Sequence, residues 1–268
     1  MDKKALLEWY VEAGVDEAID DRAVDYFGNQ ESGIGNRGKK TIPAPKPAAD
    51  TRYPIPDTAP LHHSPSAAAA AARALADNAQ TLAELEETVR AFDGCAIKKT
   101  ASKTVFCDGN PQAKIMIIGE APGAQEDIQG IPFCGPSGML LDRMLAAIGL
   151  DRTSVYISNT VFWRPPGNRQ PSPEETSTCL PFVEKHIALV APSLLVLSGG
   201  TATTTLLRKD TSVSRLRGRF YDYSNPYLTT PVQAAVTYHP SYLLRSPGQK
   251  RLAWNDLLMM KQFLDDLR

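Results

Sequence analysis

Residues 114–135 read KIMIIGEAPGAQEDIQGIPFCG, and the first six of them decide the fold. Ile115, Met116, Ile117 and Ile118 form an unbroken apolar run that stops at Gly119. Such a run is too short for a helix and has no polar alternation, which suits a strand whose sheet is covered on both faces. Similar runs return in SVYISNTV (154–161), SLLVLSG (193–199) and QAAVTYHP (233–240). Between and after them lie stretches of helical character: SGMLLDRMLAAIGL (137–150), PEETSTCLPFVEKHIALV (173–190), GTATTTLL (200–207) and KRLAWNDLLMMKQFLDDL (250–267). This alternation predicts an α/β fold, a parallel sheet between helices, with ligands bound beyond the carboxyl ends of the strands.

Upstream the composition changes. Residues 1–27 predict a helical segment, with Leu6, Leu7, Tyr10, Val11, Val15, Ala18 and Ile19 at helical spacing. Residues 28–66, rich in Gly, Pro, Ala and Lys, predict a disordered linker, since they cannot bury enough apolar surface to offset ordering entropy. The alanine-rich run 67–92 predicts one helix laid against a compact domain at 93–268.

The 268-residue chain is 43% hydrophobic, enough for a sizeable core, and holds no apolar stretch of the roughly 20 residues a membrane span requires. A cytoplasmic protein without membrane contact is the expectation. The net charge of −1 excludes a globally basic nucleic-acid coat but not a local basic face. Cys95, Cys107, Cys134 and Cys179 are far apart and contain no CxxC pair, so no disulfide framework or zinc site is legible.

Three stretches fall at predicted strand ends. In the first, Gly119 and Gly123 bracket Glu120 and Pro122, without the GxxxxGK[ST] or GxGxxG spacing of a phosphate loop. Glu120 and Glu126 suit a positive centre or an oriented water, and Asp127 a cap or turn. Phe133 is either a core ring or a stacking platform for a flat ligand. In NTVFWRPPGNRQPSPEE (159–175), the Asn159 amide offers a donor beside an acceptor, while Arg164, Asn168 and Arg169 suit phosphate contacts or solvent. In HPSYLLRSPGQKR (239–251), His239 follows an apolar strand and Leu243, Leu244 and Arg245 read as an exposed loop, either a wedge for a base stack or a misjudged helix turn. Lys250 and Arg251 would back that wedge on phosphates.

Together these three motifs resemble the family 4 uracil-DNA glycosylases over residues 93–268. The resemblance implies a three-layer α/β/α domain with a four-stranded parallel sheet, here with an N-terminal helical extension. It implies Glu120, Glu126 and His239 as catalytic residues, and Gly119, Ala121, Gly123, Phe133 and Asn159 as the uracil site. Arg164, Arg169, Ser241, Leu243, Leu244, Arg245 and Lys250 would meet DNA. Gly123 stands where more stringent relatives carry a bulky ring that excludes a 5-methyl group, so tolerance of 5-substituted uracils is implied. The expected protein is a monomer that binds uracil-containing DNA and leaves abasic-site DNA; the alternative is a uracil- or abasic-DNA binding module with weak turnover. Family members usually hold a four-iron four-sulfur cluster on four cysteines. Cys95 and Cys179 match two of those positions, but Lys98 and Trp163 replace the other two. The expectation is therefore no cofactor and no metal, with Trp163 packed into the cluster's space.

Overall fold

The apolar runs form four central parallel strands, β2 (Ile115–Gly119), β3 (Tyr156–Asn159), β4 (Leu194–Ser198) and β6 (Val232–Thr237). The structure is a computed structural model in which residues 66–267 are described. The helix expected at 1–27 and all but the last residue of the linker expected at 28–66 lie outside the described residues. Two antiparallel edges, β1 (Asp108–Gly109) and β5 (Phe220–Tyr223), complete a six-stranded sheet of order β1-β3-β2-β4-β6-β5. The expected count of four strands is corrected accordingly. Neither edge carries the continuous apolar run of a strand covered on both faces; β1 is two residues long, and the first three residues of β5 are not buried.

Alternate residues of β2 serve opposite faces. Ile115 and Ile117 join Leu141, Met144 and Leu145 of α4 (Pro136–Ala147), Leu243 of α8 (Pro240–Arg245), and Leu257 and Met260 of α9 (Lys250–Asp266). Met116 and Ile118 join Ala72 and Ala76 of α1 (Ala67–Asn78), Leu85 and Val89 of α2 (Leu82–Ala91), and Phe182 and Val183 of α5 (Pro173–Val190). The period of two along each strand thus produces two cores and three layers. None of the helices among the described residues is long and apolar enough to cross a membrane.

The alanine-rich run is two helices rather than the single one expected. Thr81 accepts the Glu84 N–H at 3.2 Å, and the Glu84 carboxylate accepts the Gln80 N–H at 2.7 Å. These side chains satisfy backbone donors at the start of α2, so the run breaks and restarts there. Arg73 of α1 reaches the buried Glu184 carboxylate of α5 at 2.5 Å and lies 5.1 Å over the Tyr227 ring. On the same side of the sheet, His186 is fully buried, stacked 4.3 Å from Phe106, with Nε2 2.8 Å from the Tyr156 hydroxyl. Burial pushes its pKa down to about 3, so it is neutral in the folded protein.

Two stability predictions follow from these contacts. Arg73→Ala leaves Glu184 without its nearest cation and is expected to cost about 3 kcal/mol in urea unfolding; an unchanged midpoint would mean that α1 is not fastened here. Because the unfolded chain takes up the His186 proton first, stability should fall as pH drops below about 6.5, by about 2 kcal/mol from this group between pH 7 and 5. Urea titrations at the two pH values should show a shallower loss in His186→Gln.

Candidate functional site

The carboxyl ends of β2, β3, β4 and β6 open on a cavity of about 700 Å³. Glu120, Ala121, Gly123, Glu126, Phe133 and Asn159 line it from the first two stretches, and His239, Ser241 and Arg245 from the third. Phe133 is held with φ +53°, its ring stacked on the His239 imidazole at a centroid distance of 5.2 Å and an interplanar angle of 28°.

That conformation is fastened from several sides. The buried Glu126 accepts the Gly123 N–H at 3.1 Å through Oε2 and the Gly135 N–H at 3.0 Å through Oε1, closing the loop around Phe133. Behind it, Arg152 donates to the Phe133 carbonyl and, at 3.2 Å, to the Pro132 carbonyl. Asp108 and Asp142 hold the same guanidinium at 2.5 and 2.8 Å. Gly138 is required by this path, since a Cβ there would lie 1.6 Å from the Phe133 carbonyl oxygen. Gly119 is required by the cavity floor, where a Cβ would lie 2.5 Å from both Asn159 Oδ1 and Phe133 Cζ. Asp127, expected as a cap or turn acid, accepts the Ser102 and Lys103 N–H groups at 2.7 and 3.1 Å and moors the short helix α3 (Ala124–Gln129).

His239 caps α8. Its Nδ1 accepts the Ser241 N–H at 3.1 Å and lies 2.8 Å from Ser241 Oγ. The ring proton therefore belongs on Nε2. Burial, and then the nearby Arg245 cation, hold the imidazole's pKa down to about 4, so it is a neutral donor at ordinary pH. Beneath it, Asp256 Oδ2 accepts from Arg217 Nε and from Thr237 Oγ1, each at 3.0 Å, anchoring the end of β6.

The expected exposed loop at 243–245 is corrected: these residues belong to helix α8, which starts with Pro240 at its first turn. Leu243 faces the core at 1% exposure, whereas Leu244 is 45% exposed. A helical turn separates neighbouring side chains onto different faces, so Leu243 is not an available wedge. Arg164 donates to Asn168 Oδ1 at 2.7 Å, and Arg169 is paired with Glu175 at 2.6 Å rather than standing alone. Lys250 begins α9 outside the cavity lining.

The sequence reading missed Arg152, Gln170, Thr201 and the cavity-lining Ser198, whose buried Oγ has no hydrogen-bond partner among the described residues. None lies in a spacing that signals chemistry, and the partners of Arg152, Gln170 and Thr201 are distant in the chain. Thr201 opens the turn after β4 and donates to Glu120 Oε2 at 2.5 Å.

The chain is similar to known proteins over most of the described residues. A family model described as the uracil DNA glycosylase superfamily matches residues 106–264. A type-4 uracil-DNA glycosylase of Saccharolobus solfataricus is 36% identical over 188 residues, which cover 67% of this chain and 85% of the relative. One of Thermotoga maritima is 35% identical over 183 residues, covering 67% and 93%. One of Pyrobaculum aerophilum is 33% identical over 193 residues, covering 69% and 97%.

These relatives correct the expectation of a chain without a cofactor, because the type-4 group normally carries an iron-sulfur cluster and likeness to it implies the cluster rather than its absence. The described side chains at the matching corner do not fit that group as they stand. Cys95 and Cys179 are buried with Sγ atoms 3.9 Å apart, and Trp163 is packed beside them, donating from Nε1 to Thr104 Oγ1 at 2.9 Å. Lys98 Nζ, bound to Asp93 at 2.8 Å, lies 5.9 Å over the Trp163 ring. Two cysteine sulfurs meet at this corner, where such a cluster takes four thiolate ligands, and no step below is routed through one. By the extent of the family match and the coverage of these relatives, the chain belongs to the uracil DNA glycosylase superfamily.

Proposed function

We propose that the chain is a monofunctional uracil-DNA glycosylase of DNA repair, which turns uracil out of DNA and hydrolyses the bond between its N1 and C1′ to leave an abasic site. The observation that carries this reading is the convergence of an aromatic ring, an amide, a neutral imidazole and a carboxylate on one cavity. Phe133 is the face on which the flipped base stacks, with Ala121 and Gly119 leaving room for it. The Asn159 amide pairs with the N3–H and O4 edge.

As the N-glycosidic bond breaks, its electron pair leaves with the base, and negative charge grows on uracil O2. His239 Nε2–H meets that charge without carrying a charge of its own. Glu120 faces the positive sugar and the water whose oxygen bonds C1′. Glu126 serves the same chemistry by holding the loop, since both of its oxygens accept backbone N–H groups. No lysine is among the described residues lining the cavity, which favours water over a Schiff-base nucleophile. Gly123 brings no side chain to the wall, so 5-substituted uracils belong to the proposed range.

Leu244 and Arg245, at the exposed end of α8, fill the vacated stack. Arg164, Arg169, Ser241 and Lys250 take the neighbouring phosphates. The proposed catalytic domain is residues 93–268, acting as a cytoplasmic monomer and releasing abasic-site DNA.

An end-labelled oligonucleotide with one uracil should break at that position after alkali and only after alkali. No break would favour a binding module instead, and a break without alkali would contradict the monofunctional reading. Asn159→Ala and His239→Ala are each expected to slow single-turnover excision about 100-fold or more; normal rates in both would overturn the site assignment. With the His239 pKa near 4, protonation of this residue should not limit excision between pH 8 and about 5. A wild-type break near pH 6.5 that disappears in His239→Ala would contradict the neutral donor.

A further inference from the structure

Glu120 does not stand alone at the cavity wall. Thr201 Oγ1 is 2.5 Å from Glu120 Oε2, and Gln170 Nε2 is 2.8 Å from the same Thr201 oxygen. The three residues come from three different segments: the loop after β2, the loop after β3, and the first turn of α6 (Gly200–Leu207). Thr201 is buried and Glu120 half-buried, while Gln170 is exposed at the rim. The Glu120 backbone is held as well, its carbonyl accepting the Thr160 hydroxyl at 2.5 Å.

We infer that Gln170 and Thr201 are positioning residues for Glu120, forming a directed hydrogen-bond relay that keeps its carboxylate turned toward the reacting sugar and water. The direction follows from donor counting. An amide Nε2 only donates, so the Thr201 oxygen accepts from Gln170, and its single hydroxyl proton goes to Glu120 Oε2. That oxygen is then an acceptor, committed to the Thr201 hydroxyl. Each bond polarises the next, and the relay is strongest at its charged end. Oε2 is thereby tethered, leaving Oε1 as the freer oxygen for a water. Thr201 also sits in the first turn of α6, where exposed backbone N–H groups favour an anion.

The relay rests on the functional reading above, and the test separates the two. Single-turnover excision is measured against protein concentration, giving a maximal rate and a half-saturating concentration. Thr201→Val removes the donor while keeping shape; it is expected to lower the maximal rate about 10- to 100-fold, with half-saturation little changed. Thr201→Ser should restore most of the rate. Gln170→Leu, at an exposed position that does not threaten folding, should lower the maximal rate in the same direction by about 3-fold or more. In a Glu120→Gln background, Thr201→Val should add little, because both changes act on one group.

A wild type that excises nothing overturns the functional reading. A wild type that excises uracil beside an unimpaired Thr201→Val overturns the relay alone. So does a Thr201→Val that weakens half-saturation as much as rate, or whose effect multiplies fully with that of Glu120→Gln.

Discussion

Glu126 accepts backbone N–H groups from Gly123 and Gly135, and the rest of the site depends on the loop that this carboxylate closes. The closure helps hold Phe133 at positive φ, a conformation that a non-glycine residue adopts only when its surroundings over-determine it. Arg152 grips the Phe133 and Pro132 carbonyls from the other side, and the absence of a side chain at Gly138 lets α4 begin against them. The aromatic face is thus set by backbone hydrogen bonds and one buried acid.

The proposed chemistry needs opposite electrostatics a few ångströms apart. A carboxylate must face a sugar gaining positive charge, and a neutral donor must face a base gaining negative charge. Burial keeps His239 uncharged, and the Ser241 N–H fixes which ring nitrogen carries the proton. Below it, the Asp256–Arg217–Thr237 cluster steadies the strand end from which His239 departs. Rigidity in the layers below is what allows residues from three loops to meet.

How much of this is legible in the sequence depends on whether the signal is local. Ile115 to Ile118 and Leu194 to Leu197 announce covered parallel strands because every residue in each run is apolar. The edge strands escape notice because Asp108–Gly109 is too short for any pattern and Phe220–Tyr223 is not covered on both faces. The run at 67–92 hides its break because alanine composition outweighs the Thr81 cap. Helix α8 escapes because His239 and Pro240 read equally well as a turn or as the start of a helix, and its shortness conceals that Leu243 is buried while Leu244 is exposed. Glu120, Glu126, Phe133, Asn159 and His239 stand in compact motifs and can be picked out in advance. Their supports cannot, since Arg152 lies 19 positions from Phe133 and Thr201 lies 81 from Glu120.

The corner containing Cys95, Cys179 and Trp163 packs as part of the core beneath the same sheet. The most direct measurement is a crystal structure with free uracil bound. The account predicts a uracil ring parallel to Phe133, with the Asn159 amide at its N3 and O4 edge and His239 Nε2 at O2. A uracil bound elsewhere, or one lying in the cavity with Phe133 turned away and neither side chain on its edge, would contradict it.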